Sequence, residues 1–291
     1  MYLDPWKKPQ KWAFDKSRTD PAWGWFWNSA LLVYPFWEST ASAFATNAVQ
    51  PRDLVSGEIL TYNTGIGGWG TSRQGQRVES TSTTAWWSTT RLDSEIFPRA
   101  THSSWFVVAQ KRDNTVRTNG VSGNNDGTSQ RNSLLPHYAA SDVYFGFGGG
   151  GTGQQISYSD STRLEMKRFA ASAGPSGLHL YEGGILRASY TAGAASRSIS
   201  TSSVVTINSG GSGLGGADLR DLYFIAALDA DVTPGQARQW SNDPYGPLRE
   251  YRPWRFKAPA AGGSGVIHSL ANGGGLAGFG GLAGRAGGMA G

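Results

Sequence analysis

The sequence predicts an all-β, antiparallel two-sheet sandwich, closed by one short helix near its C-terminus and followed by a glycine/alanine-rich tail. Three observations carry that prediction. Glycine supplies 41 of the 291 residues beside 12 Trp, 11 Tyr and 12 Phe, a balance in which aromatics fill a pleated surface and glycine serves many turns. Short apolar or alternating runs recur along the chain with connections brief enough for antiparallel pairing, and helical periodicity is almost absent. Residues 178–248 read in order as a hairpin, a buried strand, a helix and an Asp-Pro exit.

The hairpin runs from Leu178 to Thr191, alternating on both sides of Gly183-Gly184, a pair that accepts the positive φ of a two-residue turn. Leu222 to Leu228 is a continuous apolar strand. The helix that follows has Thr233 as N-cap, Pro234 at its first position and Gln236 completing a capping box. Ala237 and Trp240 share one face, and Asn242-Asp243-Pro244 ends the helix after little more than two turns.

Earlier in the chain, residues 1–28 hold Trp6, Trp12, Trp23, Trp25 and Trp27 between Pro5, Pro9 and Pro21. So many prolines argue against helix or sheet. The segment is expected to lie as an aromatic arm over a sandwich face or a neighbouring subunit, or to line the domain's own core. Leu31–Phe36 and Glu58–Tyr62 are short strand candidates, Gly65–Gly75 a glycine-rich loop carrying Trp69, and Thr81–Thr90 a strand without clean alternation around Trp86-Trp87. Ser104–Gln110 is the strongest central strand of the first half. Asn114–Ser133 is polar and aperiodic, hence a long surface loop. Val143–Phe147, Thr162–Phe169 and Ser203–Ile207 supply further strands. After Lys257 glycine and alanine dominate, with Leu276, Phe279, Leu282 and Met289 spaced among them. A flexible linker is one reading of that tail; a segment ordered by partner contact is the other. The expected organisation is an arm (1–28), a sandwich (29–257) and a tail (258–291).

Several of these stretches resemble concanavalin A-like (laminin-G-like) jelly rolls, above all those encoded by tailed bacteriophages. The matching residues are the hairpin Leu180-Tyr181-Glu182-Gly183-Gly184, the strand Leu222–Asp231, the helix and exit Gln236–Leu248, the opening Ala13-Phe14-Asp15-Lys16-Ser17, and Arg52-Asp53-Leu54-Val55-Ser56-Gly57. The resemblance spans residues 12–250 and its motifs are mainly structural. It implies a jelly-roll topology and a virion structural protein, made in the host cytoplasm and displayed on the particle as capsid decoration or head fibre. The implied partners are other virion proteins, further copies of the chain and host surface glycans. A tail-associated host-glycan adhesin is the alternative within the same resemblance, and a glycoside hydrolase the one outside it.

Composition narrows the chemistry. There is no cysteine, which excludes disulfides, thiol chemistry and thiolate zinc sites and fits a cytosolic assembly route. The net charge of +5 is spread along the chain, with clusters at Lys7-Lys8, Lys11 and Arg249–Lys257, whereas a nucleic-acid footprint would be denser and one-sided. No apolar run approaches the ~20 residues of a membrane span, and the first dozen residues lack the apolar core of a signal peptide.

Glycoside hydrolysis needs two carboxyls flanking the scissile bond. Glu38, Glu58, Glu79, Glu95, Glu165, Glu182 and Glu250 are scattered, and the Asp229/Asp231 pair stands where a turn or helix start uses it. No catalytic residue is therefore expected. His102, His137, His179 and His268 lie far apart, so no cofactor is expected except calcium, for which Asn114, Asn124, Asn125 and Asp126 are candidates. Gly146 to Gly151 formally matches G-x-G-x-x-G but precedes no helix. Glycan binding remains, since a flat ring stacks on the apolar face of a pyranose while amides and carboxylates meet its hydroxyls. Trp69, Trp86 and Trp87 are the candidates for it. Trp6, Trp12, Leu276, Phe279 and Leu282 are the candidates for assembly.

Overall fold

A computed structural model describes residues 15–36, 51–64, 67–72, 75–80, 86–113, 120–124, 130–138, 142–148, 154–162, 164–193, 195–209 and 220–251. At 62–64, 67–72, 75–80, 121–124, 137–138, 209 and 220 it describes the backbone alone. Among these residues the strands are β1 (Ala30–Tyr34), β2 (Thr61–Thr64), β3 (Gly67–Ser72), β4 (Gly75–Ser80), β5 (Trp86–Leu92), β6 (Ser103–Lys111), β7 (Gly120–Asn124), β8 (Asn132–Tyr138), β9 (Asp142–Phe147), β10 (Gln155–Ser159), β11 (Met166–Gly174), β12 (Gly177–Glu182), β13 (Ile185–Tyr190), β14 (Val204–Ser209) and β15 (Arg220–Leu228). Helices α1 (Gly24–Ser29), α2 (Asp93–Ile96) and α3 (Pro234–Asn242), with 3-10 turns at Lys16–Arg18, Pro21–Trp23 and Gly246–Leu248, complete the set.

The strands form two sheets in which every pairing is antiparallel. The larger has eight strands in the order β13-β12-β11-β6-β15-β4-β3, with β1 also paired to β15. The smaller has seven, in the order β10-β9-β8-β7-β14-β5-β2. The all-β two-sheet sandwich read from the sequence is therefore the observed architecture.

Alternation along single strands builds the core. In β6, Trp105, Val107 and Ala109 point between the sheets, while Phe106 and Val108 point to the outer face of the eight-stranded sheet. That outer face is itself buried, which is why β6 and β15 read as unbroken apolar runs. In β15 a bulge between Leu222 and Phe224 turns both Tyr223 and Phe224 outward before alternation resumes. The outer face is roofed by Trp23, Phe26, Ala237, Trp240, Tyr245 and Leu248. Each large side chain so buried stabilises the fold by about 1.5–3 kcal/mol.

Two local expectations hold closely. Gly183 and Gly184 have φ of +60 and +79, as a type I′ turn between β12 and β13 requires. A Cβ on Gly184 would lie 2.9 Å from the Arg238 backbone, so glycine also lets α3 sit over the hairpin. In α3 the Gln236 amide donates to Thr233 Oγ1 at 3.3 Å, and the Thr233 amide donates to Gln236 Oε1 at 2.9 Å.

Other expectations need correcting. Part of the proline-interrupted N-terminal segment does form helix. Pro21–Trp23 makes one 3-10 turn and α1 follows directly. Trp23, Trp25 and Trp27 line this domain's own outer core, one of the two placements expected for them, and there Trp25 Nε1 donates to Gln239 Oε1 at 3.1 Å and Trp27 Nε1 donates to the Pro247 carbonyl at 2.8 Å. The stretch read as a glycine-rich loop contains β3, paired with β4 residue by residue from Gly67↔Ser80 to Ser72↔Gly75. The long polar loop contains β7, where a Cβ on Gly120 would fall 2.0 Å from the Leu134 carbonyl oxygen. Glycine there permits the close strand approach.

Arg52–Gly57 builds a turn around a carboxylate. Asp53 is fully buried and accepts from the amides of Val33 at 2.7 Å, Val55 at 3.1 Å and Ser56 at 3.1 Å, and from Ser56 Oγ at 2.6 Å. Arg91 Nη2 closes the set at 3.0 Å. Trp6, Trp12, Leu276, Phe279 and Leu282 lie outside the described residues.

Candidate functional site

The three tryptophans proposed for glycans separate. Trp87 packs between the sheets at 4% exposure and belongs to the core, so it does not meet solvent. Trp86, its neighbour on β5, is half-buried. Trp69 lies on β3 opposite Val78, and its side chain is outside the description. Of the calcium candidates, Asn124 ends β7 with its side chain undescribed, and Asn114, Asn125 and Asp126 lie outside the described residues. Among the described residues no three acidic, histidine or cysteine side chains form a metal-binding group. No helix among them is long and apolar enough to cross a membrane.

The buried carboxylates serve as pins. Asp93 and Arg197 form a fully buried bidentate pair, with Nη1–Oδ2 at 2.6 Å and Nη2–Oδ1 at 3.0 Å. Asp231 accepts from Ser172 Oγ at 3.0 Å and Ser176 Oγ at 2.6 Å, fixing the β11–β12 turn, and Asp229 meets Arg99 Nε at 3.1 Å. Lys167 Nζ lies 2.7 Å from Glu182 Oε1 and 3.5 Å from Asp160 Oδ1. That ammonium thus pairs with both carboxylates. Tyr158 donates to Glu182 Oε2 at 2.5 Å, and burial, aided by that bond, raises the phenol far above its ordinary range.

A different arrangement stands on the outer face of the seven-stranded sheet. Strand β9 sends Val143, Phe145 and Phe147 into the core and Asp142 and Tyr144 outward; β10 exposes Gln155, Ser157 and Ser159. Register places Gly146 beside Gln155 and Tyr144 beside Ser157, with Ser133 of β8 beside Gly146. Arg131, just before β8, lies across Gly146, where a Cβ would stand 2.4 Å from its Cδ and 3.0 Å from the Tyr144 ring. The glycine-rich run at 146–151 therefore begins with a residue that opens space for an arginine. At Gly148, φ is +94 and the amide donates to the Arg131 carbonyl at 2.8 Å, fixing the start of β8.

The guanidinium carbon sits 5.6 Å from the Tyr144 ring centroid. Arg131 Nη1 donates to the Tyr144 hydroxyl and, at 3.3 Å, to Gln155 Oε1, while the Tyr144 hydroxyl donates to Gln155 Oε1 at 2.6 Å. Asp142, beyond Tyr144 on the same face, accepts from Ser159 Oγ at 2.7 Å. A half-exposed ring, a guanidinium and an amide thus converge on one solvent-facing surface. Sequence reasoning placed no function on these residues. They stand 11 to 24 positions apart and meet only through strand pairing.

No protein-family model matches the chain, and no curated protein matches its sequence. Among solved structures it is similar to domain 4 of an extracellular GH43 arabinanase from Geobacillus stearothermophilus, solved in complex with arabinotriose. That match has 14% identity and a TM-score of 0.53, over 73% of this chain and 98% of that one. It is also similar to a Trypanosoma rangeli sialidase in complex with 2,3-difluoro-KDN, at 8% identity and a TM-score of 0.50, over 74% of this chain and 32% of that one. The chain thus spans about a third of the sialidase. At such identities the likeness is one of fold.

Proposed function

We propose that this chain is a non-enzymatic, lectin-like structural protein of a tailed-bacteriophage virion, of capsid-decoration or head-fibre type, whose seven-stranded sheet presents a glycan-binding face. The observation that carries the glycan-binding part is the Arg131–Tyr144–Gln155 cluster: a ring for the apolar side of a sugar, flanked by donors and an acceptor for its hydroxyls. A sandwich of the same fold solved with arabinotriose supports the same reading. The engagement of Asp53, Asp93, Asp231, Glu58 and Glu182 in internal hydrogen bonds and ion pairs supports a binding rather than catalytic role.

The virion part rests on the sequence resemblance. Two of its motifs have physical work in the fold: Arg52–Gly57 wraps the Asp53 turn, and Gln236–Leu248 roofs the eight-stranded sheet. On this reading the partners are other virion proteins and further copies of the chain, reached through the arm and tail, and the protein resides on the particle. The glycan face also favours a tail-associated adhesin as a second reading.

Two measurements test these readings. A glycan array probed with the full-length chain is expected to give saturable binding that Tyr144→Ala removes; no binding across the array sinks the lectin-like part. Antibody-gold labelling of purified particles is expected over heads. Label confined to the tail tip selects the adhesin, and particles without label end the virion reading.

A further inference from the structure

We propose that Lys167 and Asp160 condense to an amide, an isopeptide bond that staples the two sheets together, with Glu182 carrying the protons. The inference is independent of the glycan-binding reading. It starts from a buried lysine. Lys167 pairs with Ala109 of β6 and shares the inward face of β11 with Phe169 and Ala171, so its side chain runs between the sheets. Glu182 of β12 pairs with Phe169 and points the same way. Asp160 directly follows β10, an edge strand of the opposite sheet. Lys167 and Asp160 are 8% and 5% exposed, and they meet on the side of the sandwich where β10 lies against β12 and β13.

The contacts around this pair suit amide formation. Lys167 Nζ donates to Thr162 Oγ1 at 2.5 Å, to Glu182 Oε1 at 2.7 Å and to Asp160 Oδ1 at 3.5 Å. Exposed Glu165 comes no closer than 4.0 Å. Asp160 Oδ1 in turn accepts from the Thr162 amide at 2.8 Å and from Thr162 Oγ1 at 2.9 Å. Those two donors are placed to hold the negative charge that gathers on Oδ1 when nitrogen adds to Cγ. The fold already holds amine and carboxyl side by side, which removes the entropy cost of bringing them together, and the lysine's single bonds allow the last approach to Cγ. Glu182 Oε1 is within hydrogen-bond reach of Nζ, as a proton acceptor must be. The Tyr158 hydroxyl donates to Glu182 Oε2 at 2.5 Å, and Arg187 Nε stands 3.9 Å from the same oxygen, so this carboxylate keeps its place once the ammonium charge is gone.

The step balances without a co-reactant. Glu182 takes a proton from the ammonium, the amine attacks Cγ, the N–C bond forms and the Cγ–Oδ2 bond breaks. The two protons that nitrogen loses leave with Oδ2 as water. One positive and one negative charge disappear from a buried site, which relieves the desolvation cost of holding both there. In a chain without cysteine, the amide would tie β10, which carries Gln155 and Ser157, to β11 of the other sheet. The reaction runs once within the chain and turns over no substrate.

The test is intact-mass spectrometry of the denatured full-length chain, after prolonged incubation below its melting temperature, followed by tryptic mapping. The parent is expected to be lighter than its sequence by one water. Trypsin, cutting after Arg163 between the two residues, is expected to leave the fragments on either side joined and to fail to cut after Lys167. Lys167→Arg and Asp160→Ala are expected to show their full mass. Glu182→Gln, checked for folding by its melting curve, is expected to lose water about 100-fold more slowly. A parent at full mass after the incubation overturns the proposal, whatever the variants do. So does a lost water that maps elsewhere or survives Lys167→Arg. Water lost at the parent's rate in folded Glu182→Gln overturns the proton-carrying role of Glu182.

Discussion

The two outer faces of the sandwich obey the same strand alternation and end in opposite states. Over the eight-stranded sheet, every outward apolar side chain from β6, β11 and β15 meets a roof of α1, α3 and the segment after it, and the indole N–H groups of Trp25 and Trp27 are bonded. Over β9 and β10 of the seven-stranded sheet, outward positions carry Tyr144, Gln155, Ser157 and Ser159, and among the described residues no carboxylate pairs with the guanidinium beside them. Arg197 and Arg131 condense the contrast. Each lies near an aromatic ring, Phe97 at 5.6 Å and Tyr144 at 5.6 Å, but one is sealed with Asp93 and the other is not. Within one fold, the buried Arg197 charge is balanced and structural, and the proposed binding face lies beside the Arg131 charge.

That contrast breaks most sharply where its structural half is cut. Asp93→Ala leaves the Arg197 charge buried and unpaired and is expected to cost about 3–5 kcal/mol, read from the urea midpoint with glycan binding per folded molecule unchanged. Trp240→Ala, emptying the roof against Phe106 and Phe224, is expected to cost about 3–5 kcal/mol, again without altering the selectivity of binding.

Acid should act on the structural half through Glu58. Burial raises the Glu58 carboxyl, but bonds from Arg91 and Thr90 outweigh it, and the net shift is downward from 4.5. A folded value below the unfolded one means that Glu58 stabilises the protein above pH ~4.5 and stops doing so as pH falls through the folded value. Glu58→Gln is expected to lose about 1–2 kcal/mol at pH 7 and to show a shallower fall in stability between pH 5 and 3, followed by urea denaturation. The binding half gives the smallest stability effects. Gly146→Ala pushes Arg131 off the sheet and is expected to weaken glycan binding about 10-fold for about 1 kcal/mol of stability. Arg131→Gln is expected to change stability by only about 0.5 kcal/mol.

What the sequence made legible follows from how local each signal was. The α3 capping box, the Gly183-Gly184 turn and the runs in β6 and β15 are contiguous, and all four sit where they were read. β3, β7 and α1 were not legible, because their stabilising partners lie far along the chain: β4 and β15 for one sheet edge, β8 and β14 for the polar strand, Gln239 and Pro247 for the tryptophans. Trp86-Trp87 sits in a Ser/Thr run with no period, so nothing local told which ring faces the core. For the site, the legible trace was Gly146, which matched a dinucleotide motif only formally. Its role depends on Arg131, brought beside it by the pairing of β8 with β9.

The central claim is that the Tyr144 face binds glycan and the roofed face does not take part. The most direct measurement is glycan-array binding by the full-length chain and by Tyr144→Ala, each with its melting curve. The account predicts binding by the parent, its loss in the variant, and melting temperatures within a few degrees of each other. Undiminished binding by a Tyr144→Ala chain that melts like the parent would contradict it.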